Sequence, residues 1–221
     1  MVKVAPSMLS CDFSRLGEEV RRVDACGADW IHFDVMDGVF VPNLTFGAPI
    51  VKSVRKLSGL PFDVHLMITD PVRYIDDFAD AGADLLTVHA EAGGDIPAAM
   101  ERIRERGVRA GIALDPATPM AEIEPYLDRA DLVLVMSVKA GFGGQKFIPG
   151  TLPKIESAAG RRGRGAGYEV SVDGGIDRAR AADCVGAGAD VLVAGSSLFG
   201  SADMAAEIGE WHAIGKCDRW G

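Results

Sequence analysis

The sequence predicts an α/β fold, a (β/α)8 TIM barrel formed as a single domain over residues 1–221. Three observations predict it. Eight short apolar or β-branched runs alternate with stretches of helical character, which implies parallel pairing. A turn motif recurs: Cys-Gly-Ala-Asp at 26–29, then Ala-Gly-Ala-Asp at 81–84 and at 187–190, each closing a helix and leading into a strand, with the glycine just past the helix end. Polar side chains also collect at the C-terminal ends of most runs, where barrels carry their active sites. A doubly wound open sheet is the alternative. No Pro/Ser-rich linker or charge block marks a second domain.

In chain order, the strand runs are residues 3–9, 30–35, 62–67, 85–89, 109–114, 132–137, 168–172 and 191–194. The helical stretches are 13–25, 50–56, 71–81, 96–106, 119–127, 152–158 and 177–186. The second run, WIHFDV, puts Ile31, Phe33 and Val35 on one face and His32, Asp34 and Met36 on the other. It ends in the turn DGVFVPN. The segment RRGRGAG (161–167) reads as a solvated, flexible basic loop. Residues 207–221 form a tail of uncertain order, in which Trp211 and Trp220 either dock on the barrel or belong to a disordered end.

Composition narrows the function classes. A net charge of −9 argues against a nucleic-acid partner. The absence of a run of about 18 apolar residues argues against a membrane partner. The first residues read as a strand rather than a signal peptide. Cys11, Cys26, Cys184 and Cys217 show no CxxC pairing, so a reduced, cytoplasmic setting is expected.

An imidazole and a carboxylate side by side on an apolar strand are either paired or hold something, since burying a polar group alone costs roughly 2–7 kcal/mol. The strand ends add more. FDVHLM puts Asp63, His65 and Met67 on one face, and EVSVDGG ends in Asp173. His32, Asp34, His65 and Asp173 together suit one divalent metal ion without cysteine, of the zinc, iron, manganese or cobalt type. His89 supports the site from behind or is structural. Asp34 and Asp173, on strands 2 and 7, stand across the barrel mouth from each other. Two carboxylates reaching a ligand from opposite sides can remove a proton from one face of a carbon and return one to the other. The Gly-rich segments GFGGQ, DGGI and AGSS after strands 6, 7 and 8 point to a phosphorylated substrate. Met36, Met67 and Met136 are core filling or an apolar cap over the reacting carbon.

These motifs carry a resemblance. APSMLSCDFSRLGEE, ADWIHFDVMDGVFVPNLTFG, DVHLM, VMSV…GFGGQKF, VDGGI and VAGSSLF, running from about Val4 to Phe199, resemble the ribulose-phosphate 3-epimerases. The resemblance implies a barrel of the ribulose-phosphate-binding type, commonly oligomeric, hence a homo-oligomer. It implies a metal, most often zinc, on His32, Asp34, His65 and Asp173. Asp34 would accept the proton and Asp173 donate it, at C3 of D-ribulose 5-phosphate or D-xylulose 5-phosphate. Ser7, His65, Gly141, Phe142, Gly143, Gly144, Asp173, Gly174, Gly175, Gly195 and Ser196 would hold the phosphorylated ketose. One departure is Lys139-Ala140, where the family usually has a polar residue and proline before GFGGQ. Losing the proline is expected to loosen that loop. Allulose-6-phosphate 3-epimerase is the nearest alternative. A Schiff-base aldolase using Lys139 and a non-catalytic sugar-phosphate binder are more remote.

Overall fold

The computed structural model describes residues 1–162 and 167–217. Most of the basic loop at 161–167, together with Trp220, lies outside the described residues. Eight strands, β1 (Lys3–Pro6), β2 (Ile31–Met36), β3 (Phe62–Met67), β4 (Leu85–His89), β5 (Arg109–Leu114), β6 (Leu132–Met136), β7 (Glu169–Asp173) and β8 (Val191–Ala194), pair in parallel in the order β1-β8-β7-β6-β5-β4-β3-β2. The two ends of that order meet. Ser7 bridges His32 in parallel, and the Asp29 N–H donates to the Val4 carbonyl at 3.0 Å. The sheet is therefore a barrel and not an open doubly wound sheet.

The helices are α1 (Leu16–Ala25), α2 (Ala48–Val54), α3 (Ile75–Asp80), α4 (Ile96–Glu105), α5 (Leu152–Arg162), α6 (Arg178–Gly186), α7 (Ser196–Phe199) and α8 (Met204–Cys217). α4 illustrates how they arise. Asp95 caps its start by accepting the Ala98 N–H, and Ile96, Ala99, Met100 and Ile103 bury at helical spacing. Ile31, Phe33 and Val35 face this helical layer within one large outer core. The alternate residues face the barrel axis, where Ala5, Leu85, Ala113, Leu132, Leu134, Val191 and Val193 pack together.

The repeated turn has a physical cause. Its glycine takes a left-handed backbone, with φ of +82° at Gly27 and +92° at Gly82. Its aspartate then accepts an N–H from the first two residues of the preceding strand: Asp29 from Val4 at 2.7 Å, Asp84 from Phe62 at 2.8 Å, and Asp190 from Val170 at 2.8 Å. Each copy satisfies a strand-start donor that has no ladder partner.

Three sequence expectations change. The first run stops at Pro6, because Ser7 accepts the Leu9 N–H and opens a 3-10 turn over Met8–Ser10. The stretch 119–127 is two 3-10 segments, Met120–Glu122 and Glu124–Arg129, rather than an α-helix. Pro125 sits inside it and lacks the N–H that an α-helix would need there. The tail is ordered through Cys217 as α8, with Met204, Ile208 and Trp211 buried on one face. The Trp211 Nε1–H donates to Glu207 Oε1 at 2.7 Å, and His212 Nε2 lies 2.7 Å from Asp29 Oδ2. Trp211→Ala is expected to cost about 3–5 kcal/mol, read as a lowered urea midpoint. A variant with unchanged stability would mean that α8 does not hold the barrel.

Candidate active site

The register of β2 on β3 sets His32 beside Asp63, Asp34 beside His65 and Met36 beside Met67, all turned toward the barrel axis. β6 on β7 sets Met136 beside Asp173. The result is a buried cluster at the C-terminal end of the barrel. His32 Nε2 and His65 Nδ1 each lie 3.3 Å from Asp34 Oδ1. They lie 4.0 Å and 3.8 Å from Asp173 Oδ2. One ligand atom from each of the four residues fits within 4.8 Å of the others. Tetrahedral donors around an ion with bonds near 2.1 Å stand about 3.4 Å apart, so four of the six separations already approach those of a coordination shell. The two nitrogens and two oxygens fit a divalent metal ion. Although Asp34 and Asp173 come from strands separated by β8 and β1, their carboxylates converge, because inward side chains meet at the axis.

The surroundings pull the two carboxylates in opposite directions. Burial pushes the Asp34 carboxyl up, but the charge and hydrogen bond of His32 outweigh it and hold Asp34 well below the usual carboxylate range. Burial, reinforced by the Asp34 charge, pushes Asp173 up to about 7. Burial pushes His32 down, yet Asp34 and Asp63 outweigh it and hold its imidazole well above the ordinary value. Burial takes His65 down to about 4. A base and an acid thus stand side by side at neutral pH. Metal binding must displace protons from Asp173 and His32. Both are protonated below about pH 7 in the metal-free protein, and each proton lost on binding favours the metal as pH rises. Metal affinity, measured by chelator competition, is expected to climb with pH, more steeply below about 7 than above it. A flat profile would contradict the cluster's electrostatics.

Above the cluster opens a cleft. Ser7, Asp34, Met36, Met67, Met136, Gly141, Phe142, Gly143, Gly144, Asp173, Gly174, Gly175, Gly195 and Ser196 all line it, while His32 and His65 lie fully buried beneath. Ser7 donates its hydroxyl to Asp34 Oδ2 at 2.5 Å, leaving Oδ1 to the histidines. The segments after β6, β7 and β8 form the far wall, and a Cβ on Gly195 would run into the Ser10 hydroxyl.

The loop expected to be loose is tied down at several points. Ala140 is buried and donates its N–H to Asp115 Oδ1 at 3.3 Å, a bond proline could not make. The Gln145 amide donates to the carbonyls of Lys139 at 2.7 Å and Phe142 at 2.8 Å, and Asn43 donates to the Gly141 carbonyl at 2.9 Å. Lys139 lines the cleft at its rim and is exposed.

Sequence reasoning missed two acids. Asp63 Oδ2 lies 2.7 Å from His32 Nδ1 and turns the opposite nitrogen toward the cluster. Its place on the same face as His65 was the available signal. Glu91 Oε2 lies 3.0 Å from His89 Nδ1, and His89 Nε2 lies 2.8 Å from His65 Nε2. Burial pushes Glu91 up, but hydrogen bonds from His89, Thr118 and the Asp115 N–H bring it down to about 2.

Residues 3–199 match the model of the ribulose-phosphate 3 epimerase family. A ribulose-phosphate 3-epimerase from Bacillus subtilis is 51% identical over 213 residues, covering 95% of this chain and 98% of that protein. The chain belongs to the ribulose-phosphate 3-epimerase family. The Escherichia coli protein of the same name is 44% identical over 95% of this chain and 94% of its own, and a chloroplastic ribulose-5-phosphate-3-epimerase from Arabidopsis thaliana is 46% identical over 93% and 74%. Among solved structures, 3-hexulose-6-phosphate synthase from Salmonella typhimurium superposes with a TM-score of 0.73 at 19% identity, over 97% of this chain and 99% of that one. That likeness concerns the barrel alone. Among the described residues of this epimerase-family chain, no helix is long and apolar enough to cross a membrane.

Proposed function

We propose that this chain interconverts D-ribulose 5-phosphate and D-xylulose 5-phosphate by exchanging the proton at C3. The observation that carries the reading is the meeting of Asp34 and Asp173, from opposite sides of the barrel, beside two buried histidines under a glycine-walled cleft. The family and its relatives' names support a phosphorylated ketose as substrate. The complete GFGGQ and DGGI motifs favour the pentulose over allulose 6-phosphate.

His32, Asp34, His65 and Asp173 would hold one divalent ion. Zinc leads for this set of nitrogen and oxygen donors, with manganese, iron and cobalt behind it. When bound, the ion supplies a Lewis acid for the charge that develops on the substrate's carbonyl oxygen as the C3 proton leaves. Asp34, held ionised, takes that proton on one side. Asp173 delivers a proton on the other, and the roles exchange in the reverse direction. Met36, Met67 and Met136 close the cleft with apolar surface and exclude water from the enediolate. Ser7 and His65 position the sugar. Backbone groups of 141–144, Gly174, Gly175, Gly195 and Ser196 cradle the chain and its phosphate.

We read the working form as a homo-oligomer, a reading supported by the exposed apolar side chains of Val39 and Leu44 beside the mouth. A cytoplasmic setting is supported by Cys11, Cys26 and Cys184, which are free thiols.

The test is a coupled assay on D-ribulose 5-phosphate, run beside D-allulose 6-phosphate, before and after metal removal. The expected result is preference for the pentulose, lost with the metal and restored by zinc or manganese. Preference for the hexulose, or no epimerisation of either with metal bound, would overturn the reading.

A further inference from the structure

The two histidines of the cluster are braced differently. Asp63 stands directly behind His32. Behind His65 stands another imidazole. His65 and His89 are both fully buried, their Nε2 atoms 2.8 Å apart. Their ring planes differ by 23° with centroids 4.9 Å apart. That separation is close to the N···N distance plus two ring radii, so the rings meet edge to edge, in line for an N–H···N bond. Between two neutral imidazoles, one nitrogen must donate and the other accept.

The far end of the chain of bonds decides which. Glu91 Oε1 accepts the Asp115 backbone N–H at 2.7 Å, and Oε2 faces His89 Nδ1 at 3.0 Å. A carboxylate only accepts, so His89 carries its proton on Nδ1 and presents a bare Nε2. The 2.8 Å contact between His65 and His89 is shorter than the 3.3 Å from His65 Nδ1 to Asp34 Oδ1, so the His65 proton goes to Nε2 rather than toward Asp34. The Nδ1 of His65 is left as a lone pair aimed into the cluster.

We propose that Glu91 acts through His89 as a positioning residue that fixes His65 in the tautomer able to accept a metal ion. The proposal rests on the reading of His65 as a metal ligand. A carboxylate behind a metal-binding histidine is a common brace; here it works at one imidazole's remove. The polarity is locked because the Asp115 N–H prevents the far end from turning over.

That lock makes substitutions informative. In Glu91→Gln the amide oxygen must still accept the Asp115 N–H, so the amide nitrogen faces His89 and donates. Every bond then reverses, and His65 holds its proton on Nδ1, toward the metal. In His89→Gln the amide oxygen can accept from His65 and the amide nitrogen can donate to Glu91, which preserves the polarity. His89→Leu removes the acceptor altogether.

Two measurements test this on the full chain: nitrogen NMR of the His65 ring in the metal-free protein, and zinc affinity by chelator competition. The expected result is a proton on Nε2 of His65 in the unmodified protein and on Nδ1 in Glu91→Gln. Zinc affinity should fall about ten- to hundredfold in Glu91→Gln and His89→Leu, and stay near the unmodified value in His89→Gln, with melting temperatures of all three recorded. Unchanged zinc affinity in Glu91→Gln, a proton on His65 Nδ1 in the unmodified protein, or His89→Gln as weak as His89→Leu would each overturn the proposal. His65→Ala separates the two layers. If it loses zinc while Glu91→Gln keeps it, the relay alone fails; if it keeps zinc, the metal-site reading fails with it.

Discussion

Asp173→Asn and Asp34→Asn are each expected to lower turnover on the order of 10²–10⁴-fold, the range lost when a positioned acid or base is removed. The two should fail for different reasons. Asp34 is the group kept ionised by His32, and asparagine there cannot take a proton. Asp173 reaches the substrate from the other side of the cleft, and asparagine there cannot deliver a proton. An amide oxygen can still ligate a metal, so zinc content measured alongside separates lost chemistry from lost metal. Near-normal rates in either variant would remove the two-carboxylate mechanism.

Gly175→Ala should produce the second large effect. Gly175 has φ of +64°, and an added Cβ would fall well inside contact with the Phe147 nitrogen and 2.7 Å from the Gln145 carbonyl oxygen. These are backbone atoms, which cannot rotate aside as a flexible side chain would. The segment that Gln145 braces must therefore move, and with it the wall of the cleft. A displacement near 1 Å can cost on the order of 100-fold in kcat/KM. Steady-state kinetics and a melting curve check it, and an unchanged kcat/KM would exclude the Gly-rich wall from substrate contact.

Much of this was legible in the chain because strand periodicity is simple. His32 and Asp34, two residues apart on an apolar strand, had to share a face, and FDVHLM placed His65 on the equivalent face next door. The alternation of strands and helices then required the strand ends to gather at one mouth. What stayed hidden depended on register and on turns. That Asp63 would stand behind His32 follows from the pairing of β2 with β3, which no local pattern encodes, while Glu91 folds back on His89 from the turn just past β4. The region 119–127 misled because its apolar spacing looks helical while Pro125 forbids the bond pattern. The tail carries a weak amphipathic signal, yet Trp211 buries completely. Its partner surface is built from distant segments. The absence of proline at 140 suggested a loose loop. The freed N–H of Ala140 instead found Asp115, a partner from another strand end.

The central claim is that one aspartate takes the C3 proton and the other returns one from solvent on the opposite side. The most direct measurement is deuterium incorporation during epimerisation of D-ribulose 5-phosphate in D₂O with metal bound, followed by NMR at C3. Solvent deuterium is expected at C3 of the D-xylulose 5-phosphate formed. Asp173→Asn is expected still to exchange the C3 proton of D-ribulose 5-phosphate through Asp34 while forming almost no product. Product that retains its original C3 hydrogen, or an Asp173→Asn variant that still forms D-xylulose 5-phosphate at the normal rate, would contradict it.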